Sequence, residues 1–439
     1  MQQTNTFHHR YILGISFISA LGGYLFGFDF AVISGALPFL RTTFELNAWW
    51  EGFLTGSLAL GCMAGCAMAG ALAERFGRKP GLLLAALIFT LSSLGMAFSN
   101  TFTLFTTMRF AAGIGVGMAS ILSPLYIAEI SPAHLRGRNV SINQLTIVIG
   151  ILVTNLVNYF LAGKGVDAWR WMFGLGAVPS FIFLLGVSRL PESPRWLIAQ
   201  GRLEEAANIL GRIGAGDIRA SLSGESHPTL KMVFSKAVRP AVIVGIVLAV
   251  FQQLCGINIV FNYTSTIFAS VGADLNSQLF ETISIGIVNL VFTLVAMWQV
   301  DKLGRRPLML VGSLGLSIVY IVLALLLKNQ AAVGLVSVFV LAAIALYATS
   351  LAPVTWVLIS EIFPNKVRGL ASSVAIVALW GAYFILVFTF PILAEKLGTY
   401  GPFYLYAGIC LLGFLFVRSR VKETKGKTLE QLEQHLTRH

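Results

Sequence analysis

The hexapeptide RFGRKP (75–80) recurs, little changed, as KLGRRP (302–307). Two further pairs keep nearly the same separation. EISPAHLRGR (129–138) returns as EIFPNKVRG (361–369), and PESPRWL (191–197) has a weaker echo in KETKGKTL (422–429). From Gly77 to Gly304, Glu129 to Glu361 and Glu192 to Glu423 the offsets are 227, 232 and 231 residues. Three motifs at nearly one spacing mark an internal duplication, which has to be read before any local feature.

Each copy is built for lipid. Of 439 residues 56% are hydrophobic and 11% charged, against roughly 25% charged in a soluble domain. Apolar runs such as AVIVGIVLAVF (241–251) and IVLALLLK (321–328) recur along the chain. Each lies in a stretch of about 20 residues or more, enough to span a bilayer as a helix. Twelve spans are predicted: 11–36, 51–72, 81–99, 103–128, 140–162, 170–189, 240–269, 278–300, 307–328, 333–360, 369–394 and 401–418. The short alternating segments of a membrane β-barrel are absent. The expected fold is an all-α membrane protein: a bundle of six helices over 1–190, a cytoplasmic helical linker over 191–238, a second six-helix bundle over 239–420, and a tail over 421–439. Within the linker, GRLEEAANILGRI (201–213) has the pattern of an amphipathic surface helix. The first apolar run is too long for a cleavable signal and reads as a span.

The net charge of +12 would raise nucleic acid as a partner in a soluble protein. Here the basic residues follow topology instead. With the N-terminus inside, 25 of the 31 Lys and Arg fall in cytoplasmic segments. Arg41, Lys164, Arg170, Lys328 and Lys396 fall in outer loops. That asymmetry is the positive-inside rule and places both termini in the cytoplasm. Short loops and compact tails fit a bacterial inner membrane. Cys62, Cys66, Cys255 and Cys410 all lie in spans without metal-ligand partners and read as packing residues. The six histidines form no metal or nucleophile constellation on the spans, so no enzyme is expected. No phosphate-binding glycine loop offers coupling to ATP.

The repeated motifs fall on the cytoplasmic side and carry both signs of charge. Arg75, Arg78, Glu129, Arg136 and Glu192 in the first copy answer to Arg305, Arg306, Glu361, Arg368 and Glu423 in the second. They read either as topology-fixing charge or as an intracellular salt-bridge latch, closed when a cavity faces out. Acidic members in both copies favour the latch.

Together GGYLFGFDFAVISG, ERFGRKP, PESPRWL, QQLCGIN, DKLGRRP, EIFPNKVRG and KETKGKT, in that order, resemble the sugar porter family of the major facilitator superfamily. The likeness is strongest to bacterial proton-coupled pentose and hexose symporters and covers nearly the whole chain. It implies a monosaccharide carried by alternating access, with the sugar near the midplane between the two halves. It also implies a protein that works as a monomer, with no cofactor beyond the proton as coupling ion. Carried over residue by residue, it implies sugar contacts from Gln144 on the fifth helix and from Gln252, Gln253 and Asn258 on the seventh. Asn289 on the eighth, Trp356 on the tenth and Trp380 on the eleventh complete the set, with Tyr263 as a gate. Two positions depart from the family: Leu379 stands where an amide often precedes the tryptophan, and Ala348 where some members keep a carboxylate. Both make the pocket less polar.

The chemistry supports this set on its own terms. Sugar hydroxyls donate and accept; a neutral amide carries an acceptor oxygen and two donor hydrogens. Aromatic rings stack on the apolar face of a sugar ring. The same amides could instead hydrogen-bond between helices. On an ideal helix Gln253 and Asn258 sit about 140° apart, so both reach one ligand only if the helix breaks. Gly256 permits that.

Asp29, in the middle of LGGYLFGFDFAVISG (21–35), is the costly residue. A carboxylate at mid-bilayer costs about 2.5–3.5 kcal/mol on insertion scales. Arg109 is the basic residue that falls inside a span. Gly113, Gly115 and Gly117 on its helix, and Gly22, Gly23 and Gly27 on the first, are expected to let helices approach closely. An Asp29–Arg109 pair has two readings. It is a permanent structural ion pair, or it is the proton-coupling site, where Arg favours the carboxylate and desolvation favours the acid. In the family the proton symporters keep this pair, whereas facilitators typically have asparagine at the aspartate. Other readings are a uniporter, which does not need Asp29, and a non-transporting sensor, which usually has a longer tail than the 19 residues after Arg420.

Overall fold

The computed structural model describes residues 8–132, 135–213, 230–236, 238–363, 367–421 and 423. Twelve helices are long and apolar enough to cross a membrane. They are His9–Phe44, Ala48–Phe76, Arg78–Ala97, Phe102–Ile130, Arg136–Lys164, Ala168–Ser188, Arg239–Asn262, Leu275–Gln299, Arg305–Lys328, Val333–Ile359, Leu370–Leu397 and Gly401–Arg420. Among the described residues there is no strand. This follows from the solvent: in hydrocarbon the backbone must satisfy its own polar groups, which a helix does within one segment. Val311, Ile318 and Leu412 lie exposed on the outside, an apolar surface suited to lipid and not to water.

Several helices are interrupted. The seventh is three pieces, Arg239–Leu254, Ile257–Asn262 and Thr264–Ala269, with breaks at Gly256 and Tyr263. The tenth divides at Ser350 into Val333–Thr349 and Leu351–Ile362. In the linker, Leu203–Ile213 forms the amphipathic helix, burying Ala206, Leu210 and Ile213. Ala206 packs with Trp196 and Leu197 of the short helix Pro194–Ala199, which Ser193 caps.

The chain falls into two compact units. One comprises Met1–Asp29, Gly61–Ile151 and Arg170–Ser226; the other Phe30–Leu60, Leu152–Trp169 and His227–His439. The unit boundaries therefore do not follow the duplication. In the second unit, parts of the first, second and fifth spans pack on the second copy. The Asn155 side chain donates to the Thr282 carbonyl at 2.7 Å, and Ser265 Oγ to the Ser34 carbonyl at 2.8 Å. The Trp49 ring meets Phe388 edge-on, with centroids 4.7 Å apart.

The expected close approaches form, and the structure shows which helices make them: Gly113 and Gly117 lie against Gly61 and Cys62 of the second helix, while Gly115 meets Ala85 of the third. Gly22 approaches Ala119 and Ser123 of the fourth helix, whereas Gly23 and Gly27 face Asn143, Thr146 and Ile147 of the fifth. Arg41 is not in a loop; it sits in the last turn of His9–Phe44.

Candidate functional site

Asp29 and Arg109 meet inside the first unit. Asp29 Oδ1 lies 3.6 Å from Arg109 Nη1, and the two side chains are 1% and 0% exposed. The first and fourth helices carry them, and the small residues Gly22 and Ala119 keep those helices close. The guanidinium carbon lies 5.7 Å from the centre of the Phe173 ring. The separation exceeds a hydrogen bond. Asp29 Oδ2 and the three guanidinium nitrogens have no hydrogen-bond partner among the described residues. The pair is attractive but poorly satisfied.

The amides gather in the second unit, and the broken helix is the reason. Gly256 takes φ of 90°, a left-handed conformation that glycine adopts without a steric penalty. Its Cα faces the ring of Tyr406, which leaves no room for a side chain. The break brings Asn258 onto Gln253: Asn258 Nδ2 donates to Gln253 Oε1, and Gln253 Nε2 donates to Gln252 Oε1 at 3.1 Å. This run of bonds ends in the Gln252 amide N–H groups on one side and the Asn258 amide oxygen on the other. A hydroxyl-bearing ligand needs one donor and one acceptor of this kind.

Further residues extend the cluster beyond those expected. Asn262 Nδ2 donates to the Asn258 carbonyl at 2.7 Å, and Tyr383 Oη donates to Asn262 Oδ1 at 3.1 Å. Tyr383 in turn packs on Trp380, with centroids 5.6 Å apart, and on Phe30, the residue after Asp29, at 5.8 Å. Asn262 was legible as i+4 from Asn258; Tyr383 and Phe30 carried no sequence signal. Tyr263 is fully buried at the second break and donates from its hydroxyl to the Val387 carbonyl at 2.8 Å. Asn289 is buried on the eighth span, and Leu379 and Ala348 are buried as well. Trp356 is 41% exposed, on the tenth-span piece that follows the break at Ser350. Gln144 is exposed on the fifth span and belongs to the other unit.

The repeated charges make one construction twice. Gly77 and Gly304, at φ of 101° and 90°, each precede a helix start. Glu192 Oε1 accepts from the Arg78 backbone N–H at 2.9 Å. Glu423 does the same for Arg305 at 3.0 Å and Arg306 at 3.1 Å. A carboxylate at a helix N-terminus satisfies orphan N–H groups and the positive end of the dipole. In the first copy Arg78 also forks onto Glu129, at 2.8 and 2.9 Å. Arg136 Nε donates to the Ala128 carbonyl at 3.1 Å, and the Arg75 guanidinium lies over the Phe76 ring at 5.1 Å. The side chains of Glu361 and Arg368 lie outside the described residues. Among the described residues, no group of three or more His, Cys, Asp or Glu could hold a metal ion.

A family model described as "Sugar (and other) transporter" matches residues 15–436. The chain belongs to the sugar porter family of the major facilitator superfamily. It is 38% identical to the D-xylose-proton symporter of Escherichia coli (strain K12), covering 97% of this chain and 96% of that protein. It is 40% identical to the glucose transport protein of Synechocystis, covering 98% of each. Among solved structures it is similar to the inward open conformation of the xylose transporter XylE from E. coli. There the TM-score is 0.85 and the identity 37%, over 97% of this chain and all of that one. The chain is therefore a multi-pass membrane protein of sugar transport with the major facilitator fold.

Proposed function

We propose that this protein imports a monosaccharide, pentose or hexose, by proton symport with alternating access, both termini being cytoplasmic. The two six-helix copies are the bodies that rock, and the broken seventh span belongs to the sugar site. Gln252, Gln253, Asn258 and Asn289 supply hydroxyl partners, with Gln144 from the first copy. Trp356 and Trp380 supply stacking faces, and Tyr263 closes the site. Asp29 takes the proton. The cytoplasmic charges on the repeated motifs act as the intracellular latch.

The observation that carries the coupled reading is the unsatisfied Asp29–Arg109 pair. Buried polar groups are normally hydrogen-bonded, and a buried ion pair offsets its desolvation only with good geometry and further hydrogen bonds. A pair at 3.6 Å with its nitrogens unpartnered is poorly built as a permanent brace. It suits a carboxylate whose charge comes and goes. Protonation removes half the attraction and frees the first and fourth helices to move with sugar bound; release of the proton on the other side resets them. Relatives that are symporters by name fit the same reading. Adding xylose or glucose to de-energised cells that express the protein tests it: symport raises the external pH as protons enter with sugar, and a uniporter leaves the pH flat.

A further inference from the structure

The C-terminal end of the first span carries a charged contact that neither the repeated motifs nor the sugar site uses. Arg41, in the last turn of the first span, forks onto Glu51 in the first turn of the second. Nε to Oε2 and Nη2 to Oε1 are both 2.6 Å. The same Nη2 also donates to Thr266 Oγ1 at 2.6 Å. Thr266 lies in Thr264–Ala269, the last piece of the broken seventh span, directly after Tyr263. All three residues lie in the second unit.

We propose that Arg41, Glu51 and Thr266 form a reversible latch that holds the outer end closed, with Arg41 as the moving bolt. "Outer" rests on the proposed topology. The division of labour follows from chain distance. Arg41 and Glu51 are ten residues apart on one hairpin and stay paired whichever way the protein faces. Thr266 is 225 residues from Arg41 and belongs to the other copy. Opening therefore breaks one charge-assisted hydrogen bond and strands no charge, because Glu51 still neutralises the guanidinium. Full ion-pair rupture in a partly buried place would cost far more. Glu51 is 8% exposed and holds the planar guanidinium aimed at Thr266, so little entropy is lost when the latch re-forms. The latch pulls on the seventh-span piece next to Tyr263 and so links outer closure to the segment that carries the amides.

The reporter is Ser265→Cys. Ser265 is 1% exposed and lies beneath the latch, its hydroxyl on the Ser34 carbonyl. The native cysteines are replaced by alanine in a background that retains transport. The readout is the labelling rate with a membrane-impermeant maleimide in right-side-out and inside-out vesicles. Thr266→Val and, separately, Glu51→Gln are expected to raise labelling from the outside by about tenfold, the equilibrium equivalent of one hydrogen bond to a charged group. Thr266→Ser, which keeps the hydroxyl, is expected to label like the parent. Equal rates in all four proteins would overturn the latch. Faster labelling confined to inside-out vesicles would uphold the latch and overturn the topology. If Thr266→Val fails to fold, Glu51→Gln against Thr266→Ser decides.

Discussion

Arg109 Nη1 stands 3.6 Å from Asp29 Oδ1 with both side chains buried. Each copy of a duplicated chain could have carried such a pair, but only the first has it in the sequence: no Asp, Glu, Lys or Arg lies in the second copy's first apolar run, 241–263. The consequences divide according to which partner is removed.

Asp29→Asn removes the titrating group and keeps its shape. Uphill accumulation of sugar is expected to vanish, while exchange of labelled for unlabelled sugar at equal concentrations persists. Loss of both activities in a folded protein would assign the pair to structure.

Arg109→Leu strands Asp29 without its counter-charge. Breaking one side of a buried pair costs about 3–5 kcal/mol, so thermal stability in detergent should fall sharply. The double variant Asp29→Asn with Arg109→Leu should recover most of that loss without recovering accumulation. A double variant no more stable than Arg109→Leu alone would contradict the pairing.

Gln253→Ala and Asn258→Ala each break the amide chain on the seventh span. Sugar affinity is expected to fall roughly 10- to 100-fold, the range for leaving a buried hydrogen-bonding group unsatisfied. Isothermal titration with xylose and glucose reads the change. Trp356→Ala should weaken binding with no change in stability, because that ring is 41% exposed.

Gly256→Ala tests the break itself. The left-handed backbone costs a side-chain-bearing residue about 1–2 kcal/mol, and the new methyl would meet the Tyr406 ring. Affinity should fall with stability, unlike in Gln253→Ala. An alanine variant that binds sugar normally would show that the break does not hold the amides together.

Much of this arrangement was legible in the sequence. Twelve spans follow from length and hydropathy, because lipid leaves helices as the solution. The duplication showed in short motifs because charged residues are scarce and stand out. Asp29 and Arg109 could be paired for the same reason: few charges lie within the spans. What stayed hidden depends on which helices become neighbours. Glycines at 113 and 117 announce a close approach but not which helix approaches. Arg41 read as a loop residue because a predicted span ends where hydropathy ends, whereas the helix continues to Phe44. Its bond to Thr266 joins residues 225 apart, a relation no local pattern encodes. The break at Ser350 likewise lacks a glycine to announce it.

The most direct measurement is uptake of labelled xylose and glucose into liposomes holding the purified protein, with and without an inward proton gradient. The account predicts accumulation of at least one sugar above equilibrium, abolished by a protonophore and absent in Asp29→Asn. Uptake that only equilibrates, whatever the gradient, would contradict it and leave Asp29–Arg109 as a structural pair.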